Sequence, residues 1–269
     1  MMQDEDITSV VTTIQQKKKY SQISVDLITS IAHKELAKRN DKKAAIKATT
    51  SKLHQIGSAY FERGLDYASL TAKLETLPRD KHATELKIFC QETMSLHSSA
   101  RERSNILEIF FHETLQSIAP VRSILDLACG LNPLALAWIP LHKDVEYIAF
   151  DVFCDLCEFL ERFFEHVQIH GKTSCTDIMR NMPDAEVQVA FLLKSLPCLE
   201  QIEKGNGEKM LENVPAKYIL LSYPIHSLGG REKGMRRNYA MQFEAITKNK
   251  QWQIQRFDFA TELAYLIRK

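Results

Sequence analysis

From Pro120 onward the chain alternates short apolar runs with helical stretches, and this alternation limits the fold more than any other feature. The runs are Val121–Leu127, Glu146–Phe150, Val187–Leu193 and Tyr218–Ser222. Helical stretches lie between and after them, at Pro133–Ile139, Phe153–Val167, Leu199–Asn213 and Lys233–Lys248. Apolar runs of strand length separated by helices predict βαβ units and a parallel sheet covered on both faces. Gln251–Asp258 and Glu262–Ile267 then read as two consecutive strands, a terminal hairpin added to that sheet.

The first 115 or so residues have a different texture, with few β-branched alternations and many good helix formers. Val25 to Arg39 places Leu27, Ile28, Ile31, Ala32, Glu35 and Leu36 at helical spacing, with Ser24 as N-cap. Lys42 to Phe61 repeats the pattern through Ala45, Ile46, Leu53, Ile56 and Tyr60, until Gly64 stops it. Further helices are expected at Tyr67–Leu77, Asp80–Thr93 and Glu102–Ile118, together forming a small helical bundle.

A chain of 269 residues with 45% apolar and 26% charged content suits one or two globular domains, not a disordered or fibrous protein. No uncharged stretch reaches the roughly 20 residues that cross a bilayer. The longest, Leu127 to Leu141, is interrupted by Gly130, Asn132, Pro133 and Pro140, and the acidic opening MMQDEDITSV lacks the apolar core of a secretory signal. These features predict a soluble cytoplasmic protein. The six cysteines have no small-scaffold spacing, which favours reduced thiols; Cys154 and Cys157 form a CxxC without a second pair to complete a metal site, so they read as helix-packing residues.

The net charge of +1 conceals an asymmetry. Residues 17–52 carry ten Lys/Arg against three Asp/Glu, and residues 229–256 carry seven against two, so the remainder is strongly acidic. Two basic blocks flanking an acidic middle are compatible with solvated helix faces, or with a polyanion-facing surface if the fold brings them to one side.

The first strand runs into a turn from Asp126 to Pro133 that contains a single glycine, Gly130, ahead of a helix. A dinucleotide site would need GxGxxG, so a pyrophosphate is disfavoured. An acidic residue before the turn suits S-adenosylmethionine (SAM), which carries a sulfonium and no phosphate. The terminal hairpin also fits the seven-stranded SAM-dependent methyltransferase fold better than a dehydrogenase. Asp151, about 20 residues after the turn, is placed to accept ribose hydroxyls or to cap the next helix. Asp177 and Ile178 are either adenine contacts or a surface turn. Lys194 closes a buried strand at the sheet's carboxyl edge, and Ser222 to Arg237 is a glycine-containing loop rich in positive charge.

Assembled, these segments resemble the aminoglycoside-resistance 16S rRNA methyltransferases that modify N7 of guanine 1405. The matching stretches are Lys52 to Ile56, His97 to Arg103, Leu125 to Ala135, Phe191 to Pro197 and Ser227 to Met235, which lie in order along nearly the whole chain. The resemblance implies a Rossmann-like SAM-dependent methyltransferase sheet with an N-terminal helical bundle. It assigns residues 1–95 to docking on the 30S subunit and 96–269 to SAM binding. It places Arg103 on the methionine carboxylate with His97, Ser98 and Ser99 nearby, Gly130 at the methionine moiety and Asp151 on the ribose. Asp177 and Ile178 flank the adenine, Leu193 and Gln201 line the pocket, and Tyr60 reaches in from the helical part. Ala128 and Asn132 depart from the broader glycine pattern of this turn.

Guanine N7 carries an in-plane lone pair and no proton, so no general base is expected and no catalytic residue in that sense is assigned. Lys194, Ser195 and Pro197 are expected to position the reacting groups, an effect that can reach ~7–11 kcal/mol. In A-form RNA the N7 atom faces a groove that side chains cannot enter, so the base is expected to flip out. Lys17, Lys18, Lys19, Arg39, Lys42, Lys43, Lys47, Arg231, Lys233, Arg236 and Arg237 are the expected rRNA contacts. The chain is expected to act as a monomer, without a metal or a membrane. A small-molecule methyltransferase and an RNA-binding protein with a degenerate SAM fold are the competing readings.

Overall fold

The structure is a computed structural model, and it describes all residues except 1, 40, 62–64, 185 and 226–233. Among the described residues seven α-helices come first: α1 (Met2–Gln15), α2 (Val25–Ala37), α3 (Lys42–Phe61), α4 (Tyr67–Glu75), α5 (Thr84–Ser95), α6 (Ser98–Ser104) and α7 (Leu107–Leu115). The spacing-based helices over Val25–Arg39 and Lys42–Phe61 correspond to α2 and α3. Leu27, Ile28, Ile31 and Ala32 are buried along α2, and so is Glu35, which shares their face. Ser24 does not cap α2 through its side chain as expected. Its backbone N–H is drawn instead to Val152 O at 2.8 Å, beside an antiparallel bridge between Ile23 and Phe153.

The helix expected over Glu102–Ile118 is broken at Asn105. Ile106 N donates to Arg103 O at 2.8 Å, and this tight turn ends α6 and lets α7 set off in a new direction to pack on the last strand. The break leaves Arg103 on α6 facing the sheet.

After Pro120 the elements are β1 (Val121–Leu127), a 3-10 helix (Asn132–Trp138), β2 (Leu141–Asp151), α8 (Cys154–His166), β3 (His170–Cys175), β4 (Val187–Leu193), α9 (Leu196–Ile202), α10 (Asn206–Asn213), β5 (Ala216–Pro224), α11 (Met235–Thr247), β6 (Gln253–Asp258) and β7 (Glu262–Arg268). The expected helix over Leu199–Asn213 is two helices, separated by Gly205 at φ 88°, a left-handed conformation that glycine takes without a Cβ penalty. The sheet order is β3-β2-β1-β4-β5-β7-β6, parallel from β3 to β5, with β7 antiparallel to both β5 and β6. The terminal hairpin is present as expected.

One strand escaped the apolar-run reading. β3 has the sequence HGKTSC and contains no aliphatic residue, because it is an edge strand with one neighbour. Its Gly171 lies so close to α8 that an added Cβ would sit 2.2 Å from Phe164 Cγ.

The cysteine expectation is corrected here. Cys154, at the start of α8, is bonded to Cys175, at the end of β3, with Cα atoms 5.0 Å apart, within the usual disulfide range. Cys157, the other half of the CxxC, is a buried free thiol. Cys154 and Cys175 meet because β3 returns beside β2 and ends next to the helix that β2 feeds.

One apolar cluster runs from α1 and α2 through α5, α7 and α8 to β1, β2 and β4. A second fills the opposite face of the sheet beneath α9, α10 and α11. No helix among the described residues is long and apolar enough to cross a membrane.

Candidate functional site

Strand order reverses between β1 and β4, and α/β sheets bind ligands in the crevice beyond the carboxyl ends of strands at such a switch. A cavity lies there. The β1 turn from Ala128 to Asn132, Asp151 to Phe153 after β2, and Leu193 to Ser195 after β4 line it, together with His97, Arg103 and Ile56 of α3. A larger groove between α4 and α8 is walled by Asp66, Glu75, Asp155, Glu158 and Glu161 and touches none of the sheet-edge residues.

The backbone at the cavity is unusual. Ala128 (φ 54°) and Lys194 (φ 61°) are non-glycine residues in the left-handed region, and Gly130 (φ 52°) lines the same cavity. Such conformations are uncommon for residues with a Cβ, and they concentrate at functional sites. At Lys194 the backbone N–H donates to Ser222 O at 2.9 Å, which ends β4 and turns the lysine inward.

Asp151 is buried, and its carboxylate accepts backbone N–H groups from Gly130 (2.8 Å) and Val152 (2.7 Å), with a longer contact from Phe153 (3.3 Å). Burial raises its carboxyl to about 6, against the opposing pull of those three donors. A carboxylate offers about four acceptor sites, so roughly one remains for a ligand.

Arg103 is buried and stacks over Phe110, 4.8 Å from the ring centroid. Glu262 meets it with two bonds of 2.7 Å, while Asn132 Oδ1 (3.1 Å) and Ser222 Oγ (3.4 Å) take further N–H groups. Of its five N–H groups, roughly one is left over. Burial alone would raise the Glu262 carboxyl, but Arg103 and Lys194 beside it reverse the sign and hold it below its usual range. Lys194 Nζ contacts Glu102 at 2.7 Å and Glu262 at 3.5 Å.

The departure of Asn132 from glycine now has a physical reason. Its Nδ2 donates to Asp126 at 2.7 Å while its Oδ1 accepts from Arg103, so it links the first strand to the arginine. Tyr147 donates to the same Asp126 oxygen at 2.6 Å. Burial raises Asp126 to about 6, opposed by these two donors. His97 is pushed down to about 4 by burial and by the nearby Arg101 and Lys194, so it is neutral at physiological pH. Ser195 Oγ is buried and has no hydrogen-bond partner among the described residues.

The structure therefore brings His97, Arg103, Gly130, Asp151, Leu193, Lys194 and Ser195 to one cavity. Pro197 opens α9 just behind it. Asp177 and Ile178 are buried after β3 without lining the cavity, and Gln201 is exposed on α9. The side chains of Tyr60, Ser98 and Ser99 lie outside the described residues, as do Arg231 and Lys233. Glu262, Ser222, Tyr147 and Glu102 were missed. The one available signal was an acid opening an otherwise apolar terminal strand.

Among the expected rRNA contacts, Lys17, Lys18, Lys19, Lys43, Lys47 and Arg237 are exposed. Lys19 Nζ lies 3.1 Å from His54 Nδ1, and Lys42 is 3.8 Å from Asp6. Arg236 binds Asp258 (2.6 Å) and Phe259 O (2.9 Å), and Arg39 is bound to the buried Glu35.

Comparison with known proteins gives a consistent result. The family model described as ribosomal RNA methyltransferase (FmrO) matches residues 16–266. The 16S rRNA (guanine(1405)-N(7))-methyltransferase of Micromonospora echinospora is 31% identical over 268 residues, covering 99% of this chain and 98% of its own. The enzyme of the same name from Serratia marcescens is 29% identical, covering 98% of each chain. Among solved structures, the 16S rRNA methylase RmtB superposes with a TM-score of 0.81 at 25% identity over 98% of both chains. With the sheet order, the reversal-point cavity and a match over most of its length, the chain belongs to the FmrO family of ribosomal RNA methyltransferases.

Proposed function

We propose that the chain transfers the methyl group of SAM to N7 of guanine 1405 in the 16S rRNA of the assembled 30S subunit, conferring aminoglycoside resistance. In this reading it works as a cytoplasmic monomer, with residues 1–95 docking on the subunit and 96–269 binding the donor. The observation that carries the reading is the sheet-edge cavity, where the spare capacity of Asp151 and Arg103 meets the unpartnered Ser195 Oγ.

That spare capacity fits SAM. One open acceptor site on Asp151 suits a ribose hydroxyl, and the remaining Arg103 N–H suits a carboxylate. Arg103 is already neutralised by Glu262, so it contributes direction more than net charge. When bound, SAM supplies a methyl carbon made electrophilic by its sulfonium. The depressed basicity of His97 keeps it from adding its own charge to those of Arg103 and Lys194, which Glu262 and Glu102 balance. The acceptor N7 has no proton to lose, so the residues at the rim need only orient the base. Lys194, fixed between Glu102 and Glu262, and Ser195 beside it occupy that rim.

Access to N7 requires the base to leave the helix, at a cost of a few kcal/mol offset by phosphate contacts. The exposed Lys17, Lys18, Lys43, Lys47 and Arg237 are suited to supply them. The test is mass mapping of 16S rRNA from cells expressing the chain. A new methyl group on guanine 1405 supports the reading. Unmodified rRNA, with transfer to a low-mass acceptor, would replace it with the small-molecule alternative.

A further inference from the structure

Glu35 is an acid on the apolar face of α2. Its side chain is 3% exposed, yet it is not isolated: Arg39 is bound to it, Lys52 Nζ is 3.3 Å away and Lys38 Nζ 4.0 Å away. One cation would suffice to balance one buried carboxylate. Three converge, and together they carry roughly eleven N–H donors against about four acceptor sites. The surplus opens onto a groove between α2 and α3 lined by Lys38, Arg39, Ser51, Lys52 and Gln55, with Glu35 at its base.

The groove's position gives this surplus a purpose. Gln55 lines the groove, and the next residue, Ile56, lines the sheet-edge cavity. Lys52 precedes Ile56 by one turn of α3, a rise of about 5–6 Å along the axis. α3 also packs on α9, the helix that follows Lys194 and Ser195. A phosphate in the groove and a base in the cavity would thus be held by consecutive turns of one helix.

We propose that Glu35 is a positioning residue. It gathers Arg39, Lys38 and Lys52 into a cradle for an RNA phosphate next to the nucleotide whose base enters the cavity. This rests on the 16S rRNA reading above and deepens it. Glu35 touches no RNA; it fixes the cations that do. Three long side chains left to solvent would have to be ordered on binding, whereas a buried carboxylate orders them in advance.

The proposal makes a prediction opposite to that of simple charge counting. Glu35→Gln raises the net positive charge, so electrostatics alone predicts equal or tighter binding to 30S. The cradle predicts weaker binding. The experiment measures methyl transfer to 30S subunits by purified wild type, Glu35→Gln and Lys52→Gln, with binding followed against salt concentration. The expected result for Glu35→Gln is a KM for 30S raised roughly tenfold, about the worth of one charge-assisted contact, with kcat and SAM affinity unchanged. The salt slope should fall by about one. Lys52→Gln keeps the Glu35–Arg39 pair, so it tests the cradle even if Glu35→Gln fails to fold; it should show the same KM and slope changes. Wild-type or lower KM in a folded Glu35→Gln, or in Lys52→Gln, overturns the cradle. If wild type itself does not modify 30S, the functional reading fails first and the cradle falls with it.

Discussion

Arg103 and Glu262 lie 159 positions apart in sequence and share a buried, doubly bonded ion pair, with Nε–Oε1 and Nη2–Oε2 both at 2.7 Å. The pair joins α6, the last helical element before α7, to β7, the last strand of the sheet. Glu262 also faces Lys194 and accepts from Ser222 Oγ at 2.7 Å. Replacing it leaves the buried Arg103 without its counter-charge, while Lys194 keeps Glu102. Glu262→Gln should therefore cost about 3–5 kcal/mol, the usual penalty for breaking a buried pair. Urea unfolding checks this; a loss below ~1 kcal/mol would show that the pair is not what holds α6 to the sheet.

Asp151 sets a pH dependence. Its folded carboxyl lies at about 6, above the ordinary 3.8, so its contribution to stability is present below the unfolded value and lost as pH rises through about 6. Donor binding runs the other way, because a ribose hydroxyl needs the ionised acceptor. Affinity for S-adenosylhomocysteine should level off above about pH 6 and fall by up to roughly tenfold per unit below it. Calorimetric titration across that range checks the slope. Asp126 titrates in the same window for the same reason, burial, so Asp151→Asn is the discriminating variant: it should bind weakly with a flattened profile.

The Cys154–Cys175 bond closes a loop of 21 positions between the start of α8 and the end of β3. In a chain-entropy account a loop of this size is worth about 3 kcal/mol. Cys175→Ser, or reduction of the wild type, should lower the thermal midpoint by several degrees. Non-reducing peptide mapping should recover the two segments linked. Alkylation of both cysteines in native protein without reductant would contradict the bond.

Much of the fold was readable because burial leaves a local signature. β1, β4 and β5 are central strands and therefore predominantly apolar, and α2 and α3 carry helical spacing. β3 was not readable, since an edge strand with one neighbour has no need of apolar residues. The breaks at Ser104-Asn105 and at Gly205-Asn206-Gly207 did carry local turn signals, which the helical patterns on either side outweighed in the reading. For the site, Gly130, Asp151 and Lys194 stood at strand ends, where position alone is informative. Glu262 also stands at a strand end, opening β7, but that position did not reveal its role, because only the antiparallel return of β7 beside β5 carries it to Arg103. Glu35 was visible as an acid on an apolar face, but the cations that explain it come from two helices.

The central claim is most directly tested by incubating the purified chain with methyl-labelled SAM and either assembled 30S subunits or protein-free 16S rRNA, then locating the label. The account predicts label on guanine 1405 of the 30S subunit, little on the free rRNA, and none from Asp151→Asn at donor concentrations that saturate wild type. Unlabelled 30S subunits, or label at another nucleotide, would contradict it.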